Sequence, residues 1–243
     1  MGVKDAYLQI EQLVDSYFEE SKRYTTNIFS LETLRKTLSI LTQSIVLKTV
    51  SDINLSLNDV IFRDNNFNLD IKNKDITDAL HWLEESHIIS SIEVYGDNFI
   101  LSKNKYKFYF NDLGFLNYML EYAGIKPSDA NGCITENFVY LYLYDNRKYK
   151  LNNPISVDRS VHSYETKSNE IDFILNSLNG KRIAIEAKHN KGKVKSSDVF
   201  LSDGKVHYIV KYTNTFGGES KDGKKFTVPL FAITKASNLI RSL

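Results

Sequence analysis

Residues 171–188 read Ile171-Asp172-Phe173-Ile174-Leu175-Asn176-Ser177-Leu178-Asn179-Gly180-Lys181-Arg182-Ile183-Ala184-Ile185-Glu186-Ala187-Lys188. Two apolar runs flank Asn179-Gly180, which is the strongest two-residue hairpin signal in the chain. The pattern predicts two neighbouring antiparallel strands. Because side chains alternate along a strand, Glu186 and Lys188 are expected on one face of the second strand. Asp172 lies within the first apolar run and is expected to be buried.

The register of this hairpin decides how close the acids come. With a two-residue loop, Leu178 pairs with Lys181 and Asp172 lies across from Ala187. A bulge of one residue would instead place Asp172 opposite Glu186 or Lys188. Both registers remain open from the sequence.

Two adjacent carboxylates favour a cation between them, because like charges repel. Oxygen ligands without sulfur or imidazole indicate Mg²⁺ or Mn²⁺, and Lys188 could stabilise charge on a phosphate. Glu136, on a predicted helix against the sheet, could supply a further ligand. The alternative is a partly exposed sheet edge with ordinary charged residues.

The composition is that of an ordinary globular protein, with 42% apolar and 25% charged residues among 243. No apolar stretch approaches the roughly 18 residues that span a bilayer, and the N-terminus lacks a signal-peptide core. The single cysteine, Cys133, excludes an intrachain disulfide. We therefore expect a cytoplasmic protein without a membrane segment.

Charge is unevenly distributed although the net charge is only +1. Residues 1–103 carry a net charge of −6 and residues 104–243 a net charge of +7. A basic C-terminal part attracts polyanions, so a nucleic-acid partner is expected there. The acidic N-terminal part favours a protein partner. Chance segregation of solvated surface charge is the alternative for both.

The N-terminal part has helical spacing followed by a strand pair. Helices are predicted through residues 7–18 and 31–45, with Ser30 as an N-cap, and through residues 75–88. A hairpin around Gly96-Asp97-Asn98 follows, which completes a winged helix-turn-helix pattern. The helix in the recognition position, residues 75–85, carries four acids and no Lys or Arg. A packing or protein-interaction role is therefore favoured over duplex binding, and a winged-helix transcription regulator is the less favoured alternative.

The C-terminal part alternates strands and helices. Residues 103–110 mix lysines and aromatics, which predicts a strand with one buried face, or alternatively a single-strand-binding surface. Helices are predicted near residues 116–120 and 131–145, three strands between residues 164 and 189, a polar Gly-rich loop at residues 217–225, and a terminal helix. The fold class is therefore α+β or α/β, with two domains at residues 1–102 and 103–243.

Short motifs in residues 103–243 resemble the PD-(D/E)XK nuclease superfamily. More narrowly they resemble the C-terminal domain (domain of unknown function 4143) of prokaryotic AAA-type ATPases. The matching pieces are Lys105-Tyr106-Lys107-Phe108-Tyr109-Phe110-Asn111-Asp112-Leu113-Gly114, Thr135-Glu136-Asn137-Phe138-Val139, Glu170-Ile171-Asp172-Phe173-Ile174-Leu175, Ile185-Glu186-Ala187-Lys188 and Val228-Pro229-Leu230. The resemblance implies a restriction-endonuclease-like domain with a central mixed sheet flanked by helices, preceded by a winged-helix segment.

The resemblance also implies roles for four residues. Asp172 and Glu186 become ligands of Mg²⁺ or Mn²⁺, Lys188 the catalytic lysine and Glu136 a helix-borne acid. Two departures are evident: no Gly-x-x-x-x-Gly-Lys-Ser/Thr loop is present, and Tyr164-Glu165-Thr166-Lys167 lacks the arginine expected before the aspartate. The sequence thus predicts a metal-dependent nuclease acting on nucleic acid, and not an ATPase. The alternative is a catalytically inactive module that binds nucleic acid or protein.

Overall fold

The computed structural model describes residues 3–25, 28–47, 73–148, 161–176, 180–189 and 195–235. Several sequence-based predictions fall outside these ranges. They are the part of the winged-helix segment at residues 48–72, Asn179 of the predicted turn and the terminal helix.

The chain divides into two compact units. The first comprises residues 1–91 and 104–130, and the second comprises residues 92–103 and 131–243. Four helices of the first unit are described: α1 (Val3–Thr25), α2 (Leu31–Leu47), α3 (Asn73–Glu85) and α4 (Leu113–Tyr122). The predicted N-cap of α2 is confirmed, because the Thr33 backbone N–H donates to Ser30 Oγ at 3.0 Å.

Apolar residues at helical spacing form the core of the first unit. The fully buried members are Leu34, Leu38 and Leu41 of α2, Ala79 and Leu83 of α3, and Leu116 and Leu120 of α4. Burying a leucine side chain contributes about 1.5–3 kcal/mol, so packing of these faces stabilises the helices more than propensity does.

The observed division differs from the predicted boundary between residues 102 and 103. Residues 104–130 belong to the first unit. Side-chain bonds explain the difference: the Asn111 amide donates to the carbonyls of His87 and Ile89 at 2.9 and 3.1 Å. The Tyr7 hydroxyl also donates to Glu121 at 3.0 Å. These bonds join α4 and the chain before it to residues much earlier in the sequence.

The second unit is built on a mixed sheet. Its strands are β1 (Ile89–Tyr95), β2 (Leu101–Phe110), β3 (His162–Glu165), β4 (Glu170–Asn176), β5 (Arg182–Lys188), β6 (Tyr208–Thr213), β7 (Gly218–Glu219) and β8 (Lys225–Pro229). The spatial order is β2-β1-β3-β4-β5-β6-β8-β7, and β1 and β2 contribute residues 92–95 and 101–103 to this unit. The pairs β3–β4, β4–β5 and β7–β8 are antiparallel, whereas β1–β3, β5–β6 and β6–β8 are parallel.

Two helices cover opposite faces of this sheet. Helix α5 (Asn131–Lys148) stacks Tyr140 on Phe173 with ring centroids 6.4 Å apart. Helix α6 (Lys195–Ser202) packs Phe200 into a buried cluster with Ile174, Ala184 and Ile209. Phe173 and Ile174 are neighbours on β4, so their side chains point to opposite faces.

The register of β4 and β5 decides between the two alternatives that the sequence left open. The pairs are Phe173 with Ile185, Ile174 with Ala184, Leu175 with Ile183 and Asn176 with Arg182. Asn176 and Arg182 are the last pair among the described residues. Continuing the register by one residue places Asp172 opposite Glu186 rather than opposite Ala187.

The Gly-rich segment 217–225 also differs from the prediction of a plain loop. It contains β7, which pairs with β8 through Gly218–Thr227 and Glu219–Phe226. In the described part of the chain the protein is thus mixed α+β, with six α-helices and one mixed sheet. None of the described helices is long and apolar enough to cross a membrane.

Candidate functional site

Asp172 lies buried on β4, with only 4% of its surface exposed. Its Oδ2 accepts a hydrogen bond from the Ala187 backbone N–H at 2.8 Å and another from Lys188 Nζ at 3.1 Å. A buried carboxylate is costly unless it is hydrogen-bonded or paired. Both bonds come from β5, so the pairing of the two strands brings Asp172 to its partners.

Glu186 lies opposite on β5 and is 3% exposed. Its Oε1 accepts a hydrogen bond from the Ser197 hydroxyl on α6, and its Oε2 lies 2.8 Å from Lys188 Nζ. The ammonium group of Lys188 therefore contacts one oxygen of each carboxylate. The three residues form one cluster, called here the acid–lysine cluster, and it retains partial access to solvent through Lys188.

Strand periodicity and one helix contact place this cluster on a single face. Glu186 and Lys188 are two residues apart on β5, as the sequence predicted. Ile174 and Ala184 occupy the same face one step further along, beneath Phe200 of α6. Ser197 lies three residues before Phe200, hence on the same side of α6, and is fully buried.

The acid–lysine cluster contains two carboxyl groups and one ammonium group, and their pKa values are shifted by burial and by one another. Burial, and then the charge of Asp172, raise the pKa of Glu186 to about 7, although Lys188 and Ser197 oppose the shift. Burial alone would lower the pKa of Lys188, but Asp172 and Glu186 outweigh burial and raise it above its ordinary value. Lys188 is therefore an ammonium group at neutral pH, while Glu186 is poised between its two protonation states.

Glu136 lies on α5, close to the start of that helix. The neighbouring Thr135 hydroxyl is 3.5 Å from His189 Nδ1, so the beginning of α5 lies at the carboxyl end of β5. Glu136 itself is half-buried. Among the described residues, no group of three or more His, Cys, Asp or Glu side chains is arranged to hold a metal ion. Glu136 therefore does not join Asp172 and Glu186 in such a group.

Ser197 contacts the acid–lysine cluster, and the sequence does not single it out. A serine pair after Lys195 fits a phosphate contact or a helix start equally well. In the structure its hydroxyl orients Glu186, while the neighbouring Ser196 hydroxyl accepts from the Glu170 backbone N–H at 3.3 Å. One sequence signal could have identified Ser197. It lies three residues before Phe200, and this spacing puts the serine on the buried side of α6.

The chemistry of the cluster fits a hard divalent cation. Its two carboxylates are the oxygen ligands that Mg²⁺ and Mn²⁺ prefer. Burial, followed by the charge of Asp172, outweighs the opposing effect of Lys188 on the pKa of Glu186. Asp172 and Glu186 are the residues that would hold such a cation.

Fold and cluster together define a mixed α+β protein with a buried pair of carboxylates bridged by a lysine. Residues 3–129 match the family described as Domain of unknown function (DUF8612). The match spans just over half of the chain, and the protein belongs to this family. The acid–lysine cluster lies beyond the matched residues. No curated protein and no solved structure matches the chain.

Proposed function

We propose that the protein is a divalent-cation-dependent nuclease that hydrolyses phosphodiester bonds. The observation that carries the proposal is the position of Lys188 Nζ, 3.1 Å from Asp172 and 2.8 Å from Glu186 on neighbouring strands. Two buried carboxylates can hold a divalent cation, and such a cation together with a lysine can stabilise the negative charge that builds up on a phosphate. On this proposal the second unit is a PD-(D/E)XK, restriction-endonuclease-like domain, and the resemblance to the C-terminal domain of prokaryotic AAA-type ATPases supports it.

Each residue of the cluster has a separate role in this proposal. Asp172 and Glu186 hold Mg²⁺ or Mn²⁺, which when bound supplies Lewis-acid stabilisation of a phosphate group. Lys188, protonated at neutral pH, donates hydrogen bonds to a phosphate oxygen and stabilises negative charge that builds up there. Ser197 holds the Glu186 carboxylate in one orientation. Glu136, an acid near the start of α5, is the fourth proposed catalytic residue.

Residues 1–102 are proposed to form a winged-helix-like segment that contacts a protein partner. Helix α3 is followed along the chain by strands β1 and β2, as in a winged helix, although residues 92–95 and 101–103 of these strands belong to the second unit. Four acids on residues 75–85 make approach to DNA phosphates unfavourable. Nucleic acid is therefore proposed to bind the basic second unit.

A catalytically inactive binding module is the second candidate. One observation favours it: Lys188 already bridges both carboxylates, so the acid pair has an internal counter-ion. On this reading the cluster stabilises the sheet, and the basic second unit binds nucleic acid or a protein in a salt-sensitive manner.

Cleavage assays with labelled oligonucleotides separate the two candidates. We expect cleavage of DNA or RNA in Mg²⁺, none in EDTA, and a loss of at least about 100-fold in Asp172→Asn, because charge stabilisation at the phosphate is lost. Glu170→Gln, an exposed acid on the same strand, is the matched control and should cleave normally. Cleavage that persists in EDTA, or in a folded Asp172→Asn variant, would contradict the proposed mechanism.

A further inference from the structure

Positive charge collects at one end of the sheet in the second unit. Residues 180–182, 203–208 and 220–225 run up to the first residues of the parallel strands β5, β6 and β8. These three segments, called here the basic edge, contain six Lys or Arg residues and two acids. The basic edge lies at the opposite end of β5 from the acid–lysine cluster. About 20 Å of strand separates Arg182 from Lys188.

Backbone hydrogen bonds hold the three segments of the basic edge side by side. The His207 backbone N–H donates to the Arg182 carbonyl at 2.8 Å, and the Ile209 backbone N–H donates to the Lys224 carbonyl at 2.9 Å. Neighbouring strands lie about 4.8 Å apart, so the three segments span about 10 Å. The cationic side chains of the basic edge therefore start from adjacent backbone segments.

Arg182 is held in place by an aromatic ring. Its guanidinium lies over Phe99, with 4.2 Å from Cζ to the ring centroid, and one Nη atom donates to the Lys205 carbonyl at 3.5 Å. Phe99 is fixed in turn by Tyr164 and Phe200, whose ring centroids lie 5.0 and 5.9 Å away. Within the described ranges Arg182 forms no ion pair with a carboxylate. Its charge and its fork of N–H donors therefore remain available to an external anion.

His207 adds a hydrogen-bond donor beside Arg182. Its Nδ1 accepts a hydrogen bond from the Arg182 backbone N–H at 3.0 Å, so the proton of the neutral ring is on Nε2. The His207 side chain is exposed, and so are those of Lys205 and Lys224. An anion at the basic edge therefore meets a guanidinium, an imidazole N–H and ammonium groups on adjacent segments.

The nearby acids do not cancel this charge. Asp203 pairs with Lys205 at 3.3 Å, and Asp222 accepts a hydrogen bond from the Lys224 backbone N–H at 3.2 Å within its own turn. Asp198 of α6 pairs with Lys225 at 2.9 Å. These three acids face the six Lys or Arg residues of the basic edge, which leaves a net charge of +3.

The backbone of a nucleic acid matches this edge in charge and in length. Each strand carries a phosphate about every 3.4 Å, so about three successive phosphates face a row of about 10 Å. An arginine fork can bind a phosphate through two parallel hydrogen bonds. In the described part of the chain, the exposed large apolar residues all lie outside the basic edge. The edge therefore offers no apolar side chain for insertion into a lipid surface, and contacts to phosphates alone are independent of base sequence.

We propose that the basic edge binds the phosphate backbone of DNA or RNA through Arg182, His207 and its lysines, as an anchor separate from the acid–lysine cluster. The inference deepens the proposed function, on which it rests for the choice of nucleic acid as the polyanion. Because the two sites lie at opposite ends of β5, binding at the edge and cleavage at the cluster can be measured independently.

Binding measured in EDTA, where cleavage does not occur, tests the basic edge. We use fluorescence anisotropy of a labelled DNA duplex at several salt concentrations. Arg182→Gln and Lys224→Gln should each lower the slope of log K against log salt by about 1 and weaken binding by about 8-fold at about 0.1 M salt. Lys126→Gln removes an exposed lysine of the first unit, and it should change neither the slope nor the affinity.

Arg182→Lys separates the geometry of the donor from its charge. The variant keeps the positive charge, so the salt slope should be unchanged. Binding should still weaken by at least about 3-fold, because an ammonium group cannot bind a phosphate bidentately. Lys224 lies in the exposed turn between β7 and β8, so Lys224→Gln tests the proposal even if Arg182→Gln does not fold.

Three results would overturn the inference. The first is unchanged affinity and salt slope in Lys224→Gln and in a folded Arg182→Gln. The second is an equal loss in Lys126→Gln, which would indicate an effect of net charge alone. The third is Arg182-dependent binding only to vesicles of phosphatidylcholine and phosphatidylserine, or only to inorganic phosphate, and not to the duplex.

The same measurements distinguish failure of the basic edge from failure of the nuclease. Binding that depends on Arg182 and Lys224, without any Mg²⁺-dependent cleavage, would support the basic edge and reject the nuclease. Cleavage that is lost in Asp172→Asn, together with unchanged binding in the edge variants, would do the reverse.

Discussion

Replacing Lys188 with methionine is expected to destabilise the protein by about 3–5 kcal/mol at pH 8 and to abolish cleavage. Methionine preserves much of the side-chain volume but removes the ammonium group that contacts both Asp172 and Glu186. Two buried carboxylates would then face one another without a counter-ion. Urea unfolding followed by circular dichroism measures the effect.

The loss of stability in Lys188→Met should be smaller at pH 5, because protonation of one carboxylate relieves the repulsion between Asp172 and Glu186. Lys205→Met is the control, since Lys205 and Asp203 form a half-exposed ion pair at 3.3 Å. Such surface pairs contribute at most about 1 kcal/mol. If both variants lose the same small stability at pH 8, Lys188 is not the required counter-ion of the buried acids.

Replacing Glu186 with glutamine is expected to stabilise the protein by about 3 kcal/mol at pH 8 in EDTA, while abolishing cleavage. The pKa of Glu186 is raised to about 7, a shift that already includes the favourable pull of Lys188. Glutamine cannot ionise, yet its side-chain oxygen can still accept a hydrogen bond from Ser197.

The pH range in which Glu186→Gln is more stable than wild type follows from the direction of the pKa shift of Glu186. Between the ordinary pKa of 4.5 and about 7, the folded protein binds the Glu186 proton more tightly than the unfolded chain does. Stability therefore falls as the pH rises through this window, and the full penalty applies above pH 7. Near pH 5 most of the advantage of Glu186→Gln should vanish.

Unfolding midpoints at pH 5 and pH 8 measure the difference in stability between wild type and Glu186→Gln. Glu219→Gln replaces an exposed glutamate of the same unit and should change stability little at either pH. A Glu186→Gln variant that is less stable than wild type at pH 8 would show that Lys188 more than compensates the buried charge. A gain in stability coupled to a loss of activity is what a strained functional site produces.

The sequence predicted the strand pair that carries the acid–lysine cluster but not its register. Side-chain alternation and apolar runs are local properties, so the common face of Glu186 and Lys188 could be inferred directly. The register depends on the length of the whole connection and on packing across the sheet. The observed pairs bring Asp172 opposite Glu186, which is the register expected with a one-residue bulge.

Contacts between distant segments account for the other features that the sequence left open. Ser197 meets Glu186 only because α6 packs across the sheet, and a serine near a helix start has many other roles. The boundary of the units depended on bonds from Asn111 to His87 and Ile89, which no local pattern predicts.

Titration of the metal-free protein with Mn²⁺ by calorimetry at pH 7.5 tests the acid–lysine cluster most directly. If Asp172 and Glu186 are ligands, wild type should bind Mn²⁺ with saturable heat, and Asp172→Asn should weaken that binding by at least about 10-fold. Glu170→Gln should bind as wild type does. Absence of saturable Mn²⁺ binding in wild type, or equal binding in a folded Asp172→Asn variant, would contradict a cation site between the two acids.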